Sequence, residues 1–149
     1  MAAHEHLGAQ FDRAMHIVQT APGVIDGADA RTVMNAANIR SWPVMFHPEA
    51  YSGGAGENPS RVTDDEVLHT RQSHLHGPTL RRYMAGDVPK YDPDYDYEDA
   101  PGSSDVEYRP EITMHKDRLW VQEGHHRIIA SRLRGDSRIS TWTSYSGGR

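Results

Sequence analysis

Residues 119–135, Leu-Trp-Val-Gln-Glu-Gly-His-His-Arg-Ile-Ile-Ala-Ser-Arg-Leu-Arg-Gly, decide how the chain is read. They describe a short strand (Leu119–Gln122), a glycine turn at Gly124, and a helix over 124–134 closed by Gly135. The charge at the start of that helix is unusual. His125, His126 and Arg127 occupy its first turn, where the positive end of the helix dipole favours Asp or Glu. Cationic and imidazole groups there cost stability unless something anionic shares the site. The unpaired N–H groups of a helix N-terminus already suit a phosphate or carboxylate. The stretch therefore reads as an anion-binding turn; the plainer alternative is a strand-to-helix connection with polar side chains.

Flanking segments extend the pattern. Glu111–His115 and Leu119–Gln122 read as strands joined through Lys116-Asp117-Arg118, and Ser137–Tyr145, rich in Ile, Thr and Trp, as the strand after the helix. Upstream, Leu7, Phe11, Ala14, Met15 and Val18 recur at helical spacing and predict a helix over 5–19. Pro22-Gly23 and Asp26-Gly27 mark turns. A short helix is expected over 30–38 and a short strand over Trp42–Phe46. Residues 52–60, with three glycines, read as a loop; no G-x-G-x-x-G frame or Lys-Ser/Thr pair makes them a phosphate loop. Thr63-Asp64-Asp65-Glu66 has the form of a capping box and predicts a helix from Asp64 to Leu75, stopping near Gly77. Pro78 suits the first turn of another helix through Met84, closed by Gly86. Residues 87–105 read as a long irregular loop carrying the acidic, tyrosine-rich segment 91–99. Interleaved strands and helices give an α+β class with a small mixed sheet.

Bulk properties narrow the function. The 149 residues suffice for a single domain, 1–149, with a modest core. Mean hydropathy is −0.75, and no run approaches the roughly 20 apolar residues of a spanning helix, so no membrane partner is expected. The absence of cysteine excludes disulfides, thiolate zinc sites and cysteine catalysis, leaving the cytoplasm as the default compartment. Net charge is −5, yet residues 109–149 hold eight Lys/Arg against four Asp/Glu. Overall acidity opposes non-specific coating of nucleic acid, while the basic C-terminal part suits a local phosphate contact.

The segment Glu123-Gly124-His125-His126-Arg127, with Ala130 and Gly135, resembles the signature of the ParB/sulfiredoxin superfamily, in particular its ParB-like nuclease domains. The likeness is good over 110–145 and loose upstream, so residues 1–40 read as an N-terminal helical extension. Partition proteins of the family carry Gly-Glu-Arg-Arg at this turn, where arginines hold nucleotide phosphates and the acid helps place a metal. Gly124 and Arg127 match that form; His125 stands where the acid would be and His126 where the first arginine would be. The resemblance thus implies a phosphate contact more directly than magnesium coordination or CTP use. Sulfiredoxin's catalytic cysteine is missing, which excludes that activity. With the chain ending at Arg149, a free-standing version of the kind common in phage and mobile elements is expected.

These readings give a ParB-like domain that binds a nucleotide or a DNA backbone through Gly124, His125, His126 and Arg127. If it is a nuclease or NTPase, His125 is the candidate general acid/base and Glu123 a positioner of water or magnesium; Glu123 is equally a candidate ion-pair partner for Arg127. The rival is a small interaction protein that engages a host protein through the 91–99 segment. No protein-held metal is expected. His4/His6 and His74/His76 lack zinc-motif spacing, and Asp92-Pro93-Asp94-Tyr95-Asp96 lacks the glycine and glutamate of a calcium loop. Arg71, Arg81 and Arg82 read as a solvated helix face, and Trp42, Trp120 and Trp142 as packing residues.

Overall fold

The computed structural model describes residues 2–42, 58–89 and 108–145. In chain order the elements are α1 (Ala2–Thr20), β1 (Val24–Ile25), α2 (Gly27–Ala36), β2 (Ile39–Ser41), β3 (Asn58–Thr63), β4 (Leu68–Thr70), β5 (Leu75–His76), α3 (Gly77–Met84), β6 (Glu111–His115), β7 (Arg118–Glu123), α4 (His125–Arg134) and β8 (Arg138–Tyr145). The class is α+β with a mixed sheet, and no helix among the described residues is long and apolar enough to cross a membrane.

Six strands form one sheet in the order β2-β4-β7-β6-β8-β3. The pairs β2/β4, β4/β7 and β6/β8 are parallel; β6/β7 and β3/β8 are antiparallel. Short β1 and β5 pair separately, antiparallel. Alternation along the strands divides the sheet. Val62, Leu68, Ile112 and Val121 join Ala14 and Val18 of α1, Val33 and Met34 of α2, Leu80 of α3, and Ile128, Ile129 and Leu133 of α4 in one core. Arg40, His69, Thr113, Trp120 and Trp142 lie on the other face by register. There Trp42 and Trp120 flank the His69 ring, Arg118 lies over Trp42, and Arg109 over Trp142.

The amphipathic period at 5–19 falls within α1, the short helix expected over 30–38 is α2, which begins at Gly27 and ends at Ala36, and the strand–turn–helix–strand order at the C-terminal end is present. The expected helix over 64–75 is not. The Thr63–Glu66 side-chain pairing does form: the Thr63 amide donates to Glu66 Oε1 (2.8 Å). It closes a turn instead of opening a helix, because Leu68–Thr70 is claimed as a strand between β2 and β7. Residues 58–60, expected in a loop, belong to β3. Gly77 starts α3 rather than stopping a helix. A Cβ there would sit 2.7 Å from the Ala21 carbonyl oxygen, so only glycine lets the start of α3 meet the end of α1. Of the strand expected over 42–46, Trp42 follows β2 directly; residues 43–46, and the segment 91–99, lie outside the described residues.

Candidate functional site: the turn into α4

The motif turn is braced by the chain that leads into β6. Gly124, the N-cap of α4, has φ 88°, and a Cβ on it would lie 2.7 Å from Pro110 Cα. Its glycine character thus has a structural cause: positive φ together with the close approach of Pro110. The Pro110 carbonyl in turn accepts the Trp142 amide of β8 (2.9 Å). A register shift between Glu111 and Ile112 lies opposite Glu123, beside the turn.

His125 is buried at 7% exposure, and its Nε2 lies 2.5 Å from Thr70 Oγ1. Thr70 Oγ1 also accepts the Gln72 amide (3.0 Å), so its own proton is available for the imidazole. His126 is half-buried, and its Nε2 accepts the His76 amide (2.9 Å) at the N-cap of α3. That contact fixes a neutral ring with its proton on Nδ1. His125 is the more deeply buried of the two, and Thr70 reaches it from β4. Burial, followed by the charges of neighbouring histidines, lowers both imidazoles to about 4. The expectation of a start to α4 crowded with positive groups is corrected accordingly. Near neutral pH both rings are uncharged, and Arg127 is the cation of the first turn.

Arg127 donates to the Tyr108 carbonyl and lies 5.1 Å from the Tyr108 ring centroid. The guanidinium is therefore held in a fixed place at the mouth of the turn. Glu123 is exposed at the end of β7. Among the described residues, no group of three or more His, Asp or Glu is placed to hold a metal ion. A magnesium ion brought by a nucleotide would be held mainly by the ligand's own phosphates.

The sequence did not reveal that two helix starts meet here. His76 is the N-cap of α3 and His126 belongs to the first turn of α4, and the 2.9 Å hydrogen bond joins them. Neither helix has a side-chain cap or an acid in its first turn. His74, exposed on the approach to β5, contributes to the electrostatics of both His125 and His126. Of the arginines read as a solvated face, Arg81 is otherwise engaged. It donates to the carbonyls of Val18 (2.8 Å) and Ala21 (2.6 Å), closing the C-terminus of α1. Arg71 follows β4, outside any helix. Arg132, which the sequence did not single out, reaches from α4 to the carbonyls of Ala37, Asn38 and Thr63, with Nη2 2.6 Å from the last.

Comparison with protein families, with curated proteins and with solved structures finds no match.

Proposed function

We propose that the chain is a ParB-like domain that binds a phosphate-bearing ligand, a nucleotide or a nucleic-acid backbone, at the turn into α4. The observation that carries this reading is the junction of two helix N-termini, neither with a capping side chain nor an acidic first turn, beside a guanidinium held by Tyr108. The N-terminus of α4, tied to the start of α3 through His126, and one cation offer donors to an anion without a carboxylate from either first turn. The order of strand, Glu-Gly-His-His-Arg turn, helix and strand over 118–145 supports the family resemblance.

The geometry favours binding over hydrolysis. A general acid/base working near neutrality needs a pKa near the operating pH and reach to its substrate. His125 is buried, bonded to Thr70 and lowered to about 4, which suits a residue that positions the turn. His126 serves the same end by tying α3 to α4. In this reading Arg127 and the first-turn amides hold the phosphate, and Glu123 lies at the rim.

The test is fluorescence anisotropy with labelled nucleoside triphosphates and with single- and double-stranded oligonucleotides, at one stated low salt, with and without magnesium. Arg127→Ala is expected to weaken binding at least tenfold, about 1.4 kcal/mol. Equal affinity of the variant overturns the site. If the unmodified protein binds none of these probes, the second reading, a non-enzymatic protein acting on a host protein, takes its place.

A further inference from the structure

α3 and α4 run alongside one another with like ends together. His126 of α4 meets the His76 amide at one end, and Arg134 Nη1 donates to the Tyr83 carbonyl (3.2 Å) at the other. The first of these contacts exists in one protonation state only. His126 Nε2 accepts the His76 N–H at 2.9 Å with a lone pair that a neutral ring alone possesses. An imidazolium carries a hydrogen on each ring nitrogen, so a charged His126 would set N–H against N–H. The His125 contact is tolerant by comparison, because the Thr70 hydroxyl can donate to a neutral ring or accept from a charged one. The geometric conflict therefore belongs to His126. His76 is exposed, so water can take its amide once the contact parts. The rest of the pair stays joined through Arg134 and through Leu80, Ile128, Ile129 and Leu133, which share one core.

We infer that the His126–His76 hydrogen bond is a proton-operated latch between the starts of α3 and α4, and that it regulates anion binding at the turn. The second half rests on the phosphate reading of that turn. With the ring neutral the latch is closed, and His126 gives its lone pair to the main chain. With the ring protonated it opens, and the turn gains a second cation beside Arg127. A bound anion favours the charged ring, so binding takes up a proton and, by reciprocity, acid tightens binding. In the empty protein the closed form prevails at neutral pH: burial, then the charges of His76 and His74, lowers His126 to about 4. The start of α4 also disfavours a positive ring. Charged and titratable groups on the packed elements act in the same sense. β5 and its approach bring His76 and His74, and α4 brings His125 and Arg127. α3 brings Arg81, whose guanidinium is taken by the carbonyls of Val18 and Ala21, and the chain after β4 brings Arg71. Glu123, exposed at the end of β7, makes no ion pair with either ring among the described residues.

Long-range proton–nitrogen NMR spectra of the full chain test the latch. At neutral pH His126 is expected to carry its proton on Nδ1, and on acidification the His76 amide shift should follow the His126 titration with the same midpoint. A proton on Nε2, or a His76 amide indifferent to that titration, overturns the latch. His126→Gln, whose carbonyl oxygen can accept the same amide without titrating, should hold the His76 shift steady through acid; a shift that moves as in the unmodified chain also overturns it. Calorimetry with inorganic sulfate, an anion that does not titrate near neutrality, tests the regulation. Sulfate binding is expected to take up protons, read from buffers of different ionisation enthalpy, and to be several-fold tighter at about pH 5 than at about pH 7. His126→Gln should lose both effects. Sulfate that binds without proton uptake or pH dependence, or a His126→Gln chain that keeps both, overturns the regulation. If sulfate does not bind at all, the regulation falls together with the phosphate reading of the turn, and the NMR result alone decides the latch.

Discussion

At the turn into α4, the side chains that the sequence makes conspicuous have internal partners: Gly124 meets Pro110, His125 meets Thr70, His126 meets the His76 amide and Arg127 meets Tyr108. Beside α2, Arg31 stands in solvent and no motif marks it. A signature in the sequence therefore need not report the most accessible chemistry. At the motif, much of the signature is spent on holding a strained corner. Arg31, by contrast, makes no side-chain hydrogen bond or ion pair among the described residues.

That contrast is open to attack at several points. The largest effect is expected at Gly124. Alanine there must hold a left-handed conformation, at about 1–2 kcal/mol, and also displace the Pro110 backbone, for a total of about 3 kcal/mol. Urea denaturation reads it; a loss under about 1 kcal/mol would mean that the turn is not braced.

Acid should loosen the same corner. The His125 imidazole is lowered from 6.5 to about 4, so between those values the unfolded chain binds the proton and the folded chain resists it. The stabilisation is full above about pH 6.5 and is lost as pH falls through about 4, about 3 kcal/mol for this group. His126 adds a slope of the same sign, since its protonation would set N–H against the His76 N–H. Urea midpoints across that range check this, and a His125→Gln chain should show a flatter profile. A flat profile in the unmodified protein would contradict the burial of these rings.

Arg132→Met keeps the aliphatic stem and removes the donors to three carbonyls; about 2 kcal/mol of stability should go with them. Burial pushes the Arg132 guanidinium down, while Asp64, Glu66 and Asp65 act the other way. A change near zero would show that water replaces those hydrogen bonds. The smallest effect on stability belongs to the exposed arginine beside α2. Arg31→Ala should stay within about 0.5 kcal/mol, the range of an exposed site with no partner. A larger cost would mean that this arginine serves the fold after all.

What could be read in the sequence was local. α1, α2, α4 and the strands β6 to β8 follow from periodicity and from Gly124 and Gly135, which punctuate the last helix. The segment 64–75 misled because its local signal was genuine. Thr63 and Glu66 bond as a capping pair, and Leu68–Thr70 is then drawn into the sheet by partners nearly thirty residues before and fifty after it. The burial of His125 and the neutrality of His126 rest on contacts with Thr70 and His76, 55 and 50 residues away, which no helical projection contains.

The placement of β8 bears on the order in which the chain can assemble. β8 lies between β6 and β3, so Asn58–Thr63 can find its hydrogen-bonding partner only when Arg138–Tyr145 is present. While the polypeptide is still emerging from the ribosome, β3 waits as a bare ribbon and β6 shows one raw edge, both exposed to pairing with other nascent chains. Sheet completion is then a late event governed by the last strand, which makes residues 138–145 the segment whose arrival separates productive folding from aggregation.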